Sequence, residues 1–138
     1  MQRQAHHTMR PERRRAVAAS ELAVCLPVLV LLVLAMIECC TMIFLKQSLT
    51  VAAYEGVRTS IEPNAVAANV ETKCEGVLDD RRVEQPRIVI SPANFESLAP
   101  GAFVTVTVSA PADRNSVLPG NFFGGRTLTA SATMMKEF

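Results

Sequence analysis

Few residue types in this chain can make or break bonds, and their positions matter more than their number. The two histidines, His6 and His7, stand near the N-terminus, and none follows Arg10. Cys74 therefore has no imidazole to activate it as a nucleophile. Neither a Ser-His-Asp arrangement nor a His-rich metal site can form in the downstream part. Cys25, Cys39 and Cys40 lie in an apolar run and read as small packing residues. Cys74 is either a free, half-buried thiol or, in an oxidising compartment, a cross-link between two chains. Glu71, Glu75, Asp79 and Asp80 face Lys73, Arg81 and Arg82 in sequence and read as a solvated helix surface. There is no Gly-rich phosphate loop and no metal-ligand cluster, and a Ser/Lys dyad has no supporting motif. The residues point away from an enzyme, and to no cofactor, no metal and no small-molecule substrate.

The acids worth attention are those bordering and interrupting the apolar run. Leu22 to Leu45 is 24 residues long with Glu38 as its one formal charge. As a helix it is about 36 Å long, enough to cross a hydrocarbon core of about 30 Å. A cleaved secretory signal would need a shorter apolar region and a small-x-small site, and Glu38, Cys39 and Cys40 do not supply one. Arg3, Arg10, Arg13, Arg14 and Arg15 precede the run, whereas Lys46 and Arg58 follow it. The excess of positive charge sets the N-terminus in the cytoplasm and the remainder outside. Glu21, at the mouth of this helix, is favoured by the macrodipole by about 0.3–1 kcal/mol. Glu38 falls about 25 Å further along at the usual helical rise, near the outer interface. There it either reaches headgroups or is protonated, or it meets a polar group of a partner helix. Pro27 removes the bond to the Ala23 carbonyl and loosens or kinks the helix.

The whole chain has 138 residues, 49% apolar and 20% charged, with 14 Lys and Arg against 13 Asp and Glu. The part from Lys46 to Phe138 holds 9 basic and 10 acidic residues and no Trp, so nucleic acid has no electrostatic footprint there. The helix is expected to continue past the membrane, with Leu49, Ala52, Ala53, Gly56, Val57 and Ser60 on one mostly small-residue face, until Pro63 stops it. Asn64 is positioned to cap a second helix over about 65–80, with Val66, Val70, Cys74, Val77 and Leu78 on one face. Arg87 to Ser91, Ala102 to Ala110 and Thr127 to Met135 read as strands. Val104, Val106 and Val108 alternate with Thr105, Thr107 and Ser109, and Leu128, Ala130, Ala132 and Met134 share a face. The fold class is α+β: a long transmembrane helix, a second helix and a three-stranded antiparallel sheet. Between the last two strands, Phe122 and Phe123 sit in a Pro/Gly-rich loop; either one plugs the core, or both form a subunit contact.

Arg13-Arg14-Arg15-Ala16-Val17-Ala18-Ala19-Ser20-Glu21, running into the apolar helix, resembles the processing site of type IV pilin-like proteins. Arg14-Arg15-Ala16, Ser20-Glu21-Leu22-Ala23, Leu26-Pro27, Met36-Ile37-Glu38, Gln47-Ser48-Leu49 and Ala53-Tyr54-Glu55-Gly56-Val57-Arg58 together are similar to the TadE-like pseudopilins of tight-adherence pilus systems. So is the C-terminal Phe122-Phe123-Gly124-Gly125-Arg126 with Leu128-Thr129-Ala130-Ser131-Ala132-Thr133-Met134. The resemblance implies that a prepilin peptidase cuts between Ala16 and Val17, with Ala16 standing where the family usually has Gly. It also implies that Glu21, fifth residue of the mature chain, pairs with the new α-amino group of an adjacent subunit. The implied organisation is a basic cytoplasmic leader over 1–16, a transmembrane and extended helix over 17–62 with its span near 22–45, and an extracytoplasmic domain over 63–138. The implied setting is the bacterial inner membrane, single-pass, with the C-terminal domain periplasmic. The implied partners are the peptidase, other pilin or pseudopilin subunits and pilus platform proteins. The length suits a minor pseudopilin rather than a major pilin. The alternative is an uncleaved, membrane-anchored periplasmic interaction module.

Overall fold

A computed structural model of the chain describes residues 11–118 and 124–137. Two helices and three strands follow in order: α1 (Pro11–Ser60), α2 (Ala67–Asp80), β1 (Arg87–Ser91), β2 (Phe103–Pro111) and β3 (Thr127–Met135), with a 3-10 turn at Phe95–Ser97 between β1 and β2. The strands form one antiparallel sheet in the order β1-β2-β3. The fold is α+β. The chain divides into two compact units, residues up to Met36 and residues from Ile37 onward, and α1 contributes to both.

In the first unit α1 stands uncovered. Val17, Leu22, Val24, Leu26 and Leu29 are all exposed, and Pro27 lies inside the helix, which continues beyond it. A solvent-exposed stripe this apolar is stable only against something other than water.

In the second unit, the α1 residues Leu45, Leu49, Ala52, Ala53 and Val57 pack against Val70, Cys74 and Leu78 of α2 and against Val104, Val106 and Val108 of β2. Small residues on α1 let the layers approach closely. At Gly56 a Cβ would lie 2.3 Å from Cys74 Sγ and 3.2 Å from Val106 Cγ1. The sheet follows its alternation: Val106 pairs with Ile90 on one side and Ala132 on the other, on the core face. On the outer face the hydroxyls of Thr105 and Thr133, and of Thr107 and Ser131, meet at 2.9 Å. Cross-strand hydroxyl pairs of this kind hold register where no apolar packing does.

Two expectations change. Asn64 does not cap α2; it adopts a left-handed conformation at φ 60° in the turn after Pro63, and Val66 is the N-cap without a side-chain bond. The free amide of Ala67 instead donates to Glu96 Oε1 at 2.8 Å, from the 3-10 turn. The turn consumes Asn64 two residues too early, and an acid brought by tertiary folding takes over the helix start. Val66 also leaves the apolar face of α2 and is exposed, while Phe95, from that same 3-10 turn, is the largest fully buried side chain among the described residues. Phe122 and Phe123 lie outside the described residues.

Candidate functional site: an uncovered apolar helix and its acids

Ala16, Val17 and Glu21 lie on consecutive turns near the start of α1, all exposed. Ser20 Oγ donates to the Val17 carbonyl at 2.7 Å, so the bond after Ala16 sits in helical backbone with a local tie one turn on. A peptidase needs extended substrate, so cleavage here requires this first stretch to unwind. It is close enough to the helix end for that to cost little cooperativity. Glu21 has no hydrogen-bonding or ion-pair partner among the described residues. Its charge is available to a second molecule.

Glu38 takes a role that spacing alone did not assign. It is 2% exposed and begins the buried stripe of α1 that continues through Met42, Leu45, Leu49, Ala52 and Ala53. Ser116 Oγ donates to Glu38 Oε1 at 2.5 Å and lies 3.1 Å from the Leu118 carbonyl. The acid expected at headgroups or on a partner helix is thus turned inward, and ties the loop after β2 to α1. Its second oxygen, Oε2, is buried with no hydrogen-bond partner. An unsatisfied buried oxygen costs about 1–3 kcal/mol, which the Ser116 bond offsets only in part. The same loop is pinned by Asn115. Its Nδ2 donates to the carbonyls of Glu84 at 3.1 Å and Pro111 at 2.8 Å, and its Oδ1 accepts the Glu84 amide at 2.8 Å.

Neither Ser116 nor Asn115 stood out in the sequence, because their partners are 78 and 31 residues away. One signal was there: positions 38, 42, 45 and 49 already fall at helical spacing on one face. Because Glu38, Met42 and Leu45 lie in a run hydrophobic enough to span a membrane, periodicity by itself assigns the stripe to the domain only from Leu49 onward.

Cys74 is fully buried rather than half-buried, and its thiol contacts the Ala52 carbonyl at 3.4 Å. Burial first, and then the nearby Glu71 and Glu75, push its pKa up to about 11. It stays a protonated thiol at neutral pH, beyond reach of a cross-linking partner. Among the described residues no group of three or more His, Cys, Asp or Glu is placed to hold a metal ion.

These elements define a class of protein: a small α+β domain whose first helix runs on as an uncovered apolar segment, long and apolar enough to cross a membrane. Residues 16–58 match the family model of the TadE-like proteins, so the chain is similar to that family along this helix. The match begins at Ala16 and ends at Arg58, two residues before α1 does. No curated protein and no solved structure matches the chain. Proteins of this family are pilus components, and the helix is compatible with a single-pass membrane anchor.

Proposed function

We propose that this chain is a minor pseudopilin of a tight-adherence pilus or a related secretion machine, held in the bacterial inner membrane by α1 with the α+β domain outside. The observation that carries the reading is the apolar length of α1 that no other described residue covers, with three arginines, Ala16 and Glu21 at its start. Because Glu38, Met42 and Leu45 are committed to the domain core, the length left for lipid is Val17 to Ile37. Its 21 residues extend about 31 Å, enough for the hydrocarbon core. That span sets Glu21 at its inner end.

A prepilin peptidase then removes residues 1–16. The chain changes from net +1 to 9 basic and 12 acidic residues, net −3. Cleavage thus takes away the positive cytoplasmic anchor that opposes extraction from the bilayer. The unpartnered Glu21 meets the new α-amino group of a neighbouring subunit. In a bilayer that pairing offsets the cost of burying two opposite charges. Platform proteins and other pilin-like subunits are the partners.

The test is intact mass and N-terminal sequencing of the protein purified from its native membranes. A mature chain beginning at Val17 is expected. With processing in place, Glu21→Ala should leave membrane insertion intact and lower assembly with partner subunits. Retention of Arg13 to Ala16 in cells with an active prepilin peptidase would replace this reading with that of an uncleaved anchored interaction module. Normal pilus assembly by Glu21→Ala would remove the role given to that acid.

A further inference from the structure

One side of the domain carries a concentration of positive charge that the net balance conceals. A cleft of about 250 Å³ is lined by Arg81, Arg82 and Arg114 together with Thr41, Phe44 and Leu45 of α1. None of the three guanidinium groups has a hydrogen-bond or ion-pair partner among the described residues. That is unexpected, because Asp79 and Asp80 immediately precede Arg81, and Glu84 and Asp113 flank the other two in sequence. Arg81 is the C-cap of α2, Arg82 follows at φ 54°, and together they turn the chain out of the helix. Arg114 comes from the loop that Asn115 pins to Glu84 and that Ser116 ties to Glu38. Two independent anchors thus hold the arginines at one opening. Of the acidic residues, Glu84 lines the cleft, and Glu38 is bonded to Ser116, another lining residue.

The α1 residues lining the cleft, Thr41, Phe44 and Leu45, belong to the same apolar run that enters the membrane in sequence. Phe44, which lines the cleft, is 51% exposed. Three unpaired arginines sharing a cleft with an exposed Phe44 suit an amphiphile with an anionic head: the forked donors match phosphate oxygens, and the apolar lining takes the start of an acyl chain. We infer that this cleft binds the phosphate of an acidic phospholipid in the outer leaflet of the membrane that α1 crosses. The inference rests on the membrane reading above. Bound lipid would hold the domain close to the bilayer surface until assembly draws the subunit away.

The experiment uses the full chain purified in non-ionic detergent micelles and reads lipid retention by native mass spectrometry and thermal unfolding. Phosphatidylglycerol, phosphatidylcholine and inorganic phosphate are added separately. Phosphatidylglycerol is expected to be retained and to raise the unfolding midpoint, and the other two are not. Charged hydrogen bonds of this kind are each worth about tenfold in affinity, so Arg114→Gln alone should weaken retention about tenfold and the triple Arg81→Gln, Arg82→Gln, Arg114→Gln variant should abolish it. Arg114→Gln is the control against misfolding, because Arg114 is exposed and makes no bond in the domain. Equal retention by the variants, or an equal response to phosphatidylcholine, would overturn the inference. An equal response to inorganic phosphate would make this a free-phosphate site and overturn the lipid assignment. Resistance of the chain to alkaline extraction from native membranes, measured separately, reports on the membrane reading and distinguishes its failure from failure of the cleft.

Discussion

The close packing around Gly56 gives the domain a sharp test. Gly56 lies where α1 passes over α2 and the sheet, and a methyl group there would sit 2.3 Å from Cys74 Sγ, 3.2 Å from Val106 Cγ1 and 3.6 Å from Val70 Cγ1. In an exposed helix Gly→Ala stabilises by about 0.5–1 kcal/mol through helix propensity. Here the sulfur must move within a packed core, and overpacking of this kind costs about 1–3 kcal/mol. Packing outweighs propensity, and Gly56→Ala should destabilise by about 0.5–2 kcal/mol. For a domain of this size each kcal/mol lowers the midpoint by about 4–8 °C. Cys74→Ala removes the obstructing atom, at a cost of about 1 kcal/mol for the small void and the lost contact with the Ala52 carbonyl. The double variant should therefore be more stable than the sum of the single effects predicts, by about 1 kcal/mol, the signature of two side chains competing for one space. Urea and thermal unfolding of the full chain in micelles, followed through Tyr54, measure this directly, because the chain has one Tyr and no Trp. A higher midpoint for Gly56→Ala, or strict additivity in the cycle, would refute the packing argument.

Two further outcomes follow from the same core. The folded domain holds the Cys74 proton up to about pH 11, whereas the unfolded chain releases it near its ordinary value of 9.0. Stability from this group is thus intact below about pH 9 and is lost as the pH rises toward 11, by at most about 3 kcal/mol. Unfolding midpoints of wild type and Cys74→Ala, compared from neutral pH upward, should converge across that window; a constant gap would contradict it. Glu96→Ala removes the acceptor at the start of α2 and should cost about 0.5–2 kcal/mol, read as a lower midpoint, with Glu96→Gln retaining much of the stability.

Much of the framework was legible because it rests on local periodicity. β1 and β3 begin and end where their alternation does, and β2 starts one residue later than expected and ends one residue later, at Pro111. α1 stops at Ser60, within two residues of the position Pro63 dictates. The core face of α2 was also readable, through Val70, Cys74 and Leu78, all fully buried. The polar ties were not. Glu96 on Ala67, Asn115 on Glu84 and Ser116 on Glu38 join residues from loops whose own sequence carries no period, and each donor or acceptor is ordinary until folding supplies its partner.

The sequence by itself determined the α+β class, the antiparallel sheet, the apolar helix and the similarity of residues 16–58 to the TadE-like proteins. These follow from spacing, hydropathy and motif, which every short window of the chain carries. Only the tertiary structure decided how the apolar run is divided, because hydropathy does not distinguish a side chain facing lipid from one facing a protein core. The same structure turned Glu38 inward, exchanged Asn64 for Glu96 at the start of α2, and brought Arg81, Arg82 and Arg114 to one opening. Each depends on bringing together residues far apart in sequence, and packing of the whole domain is what supplies that proximity.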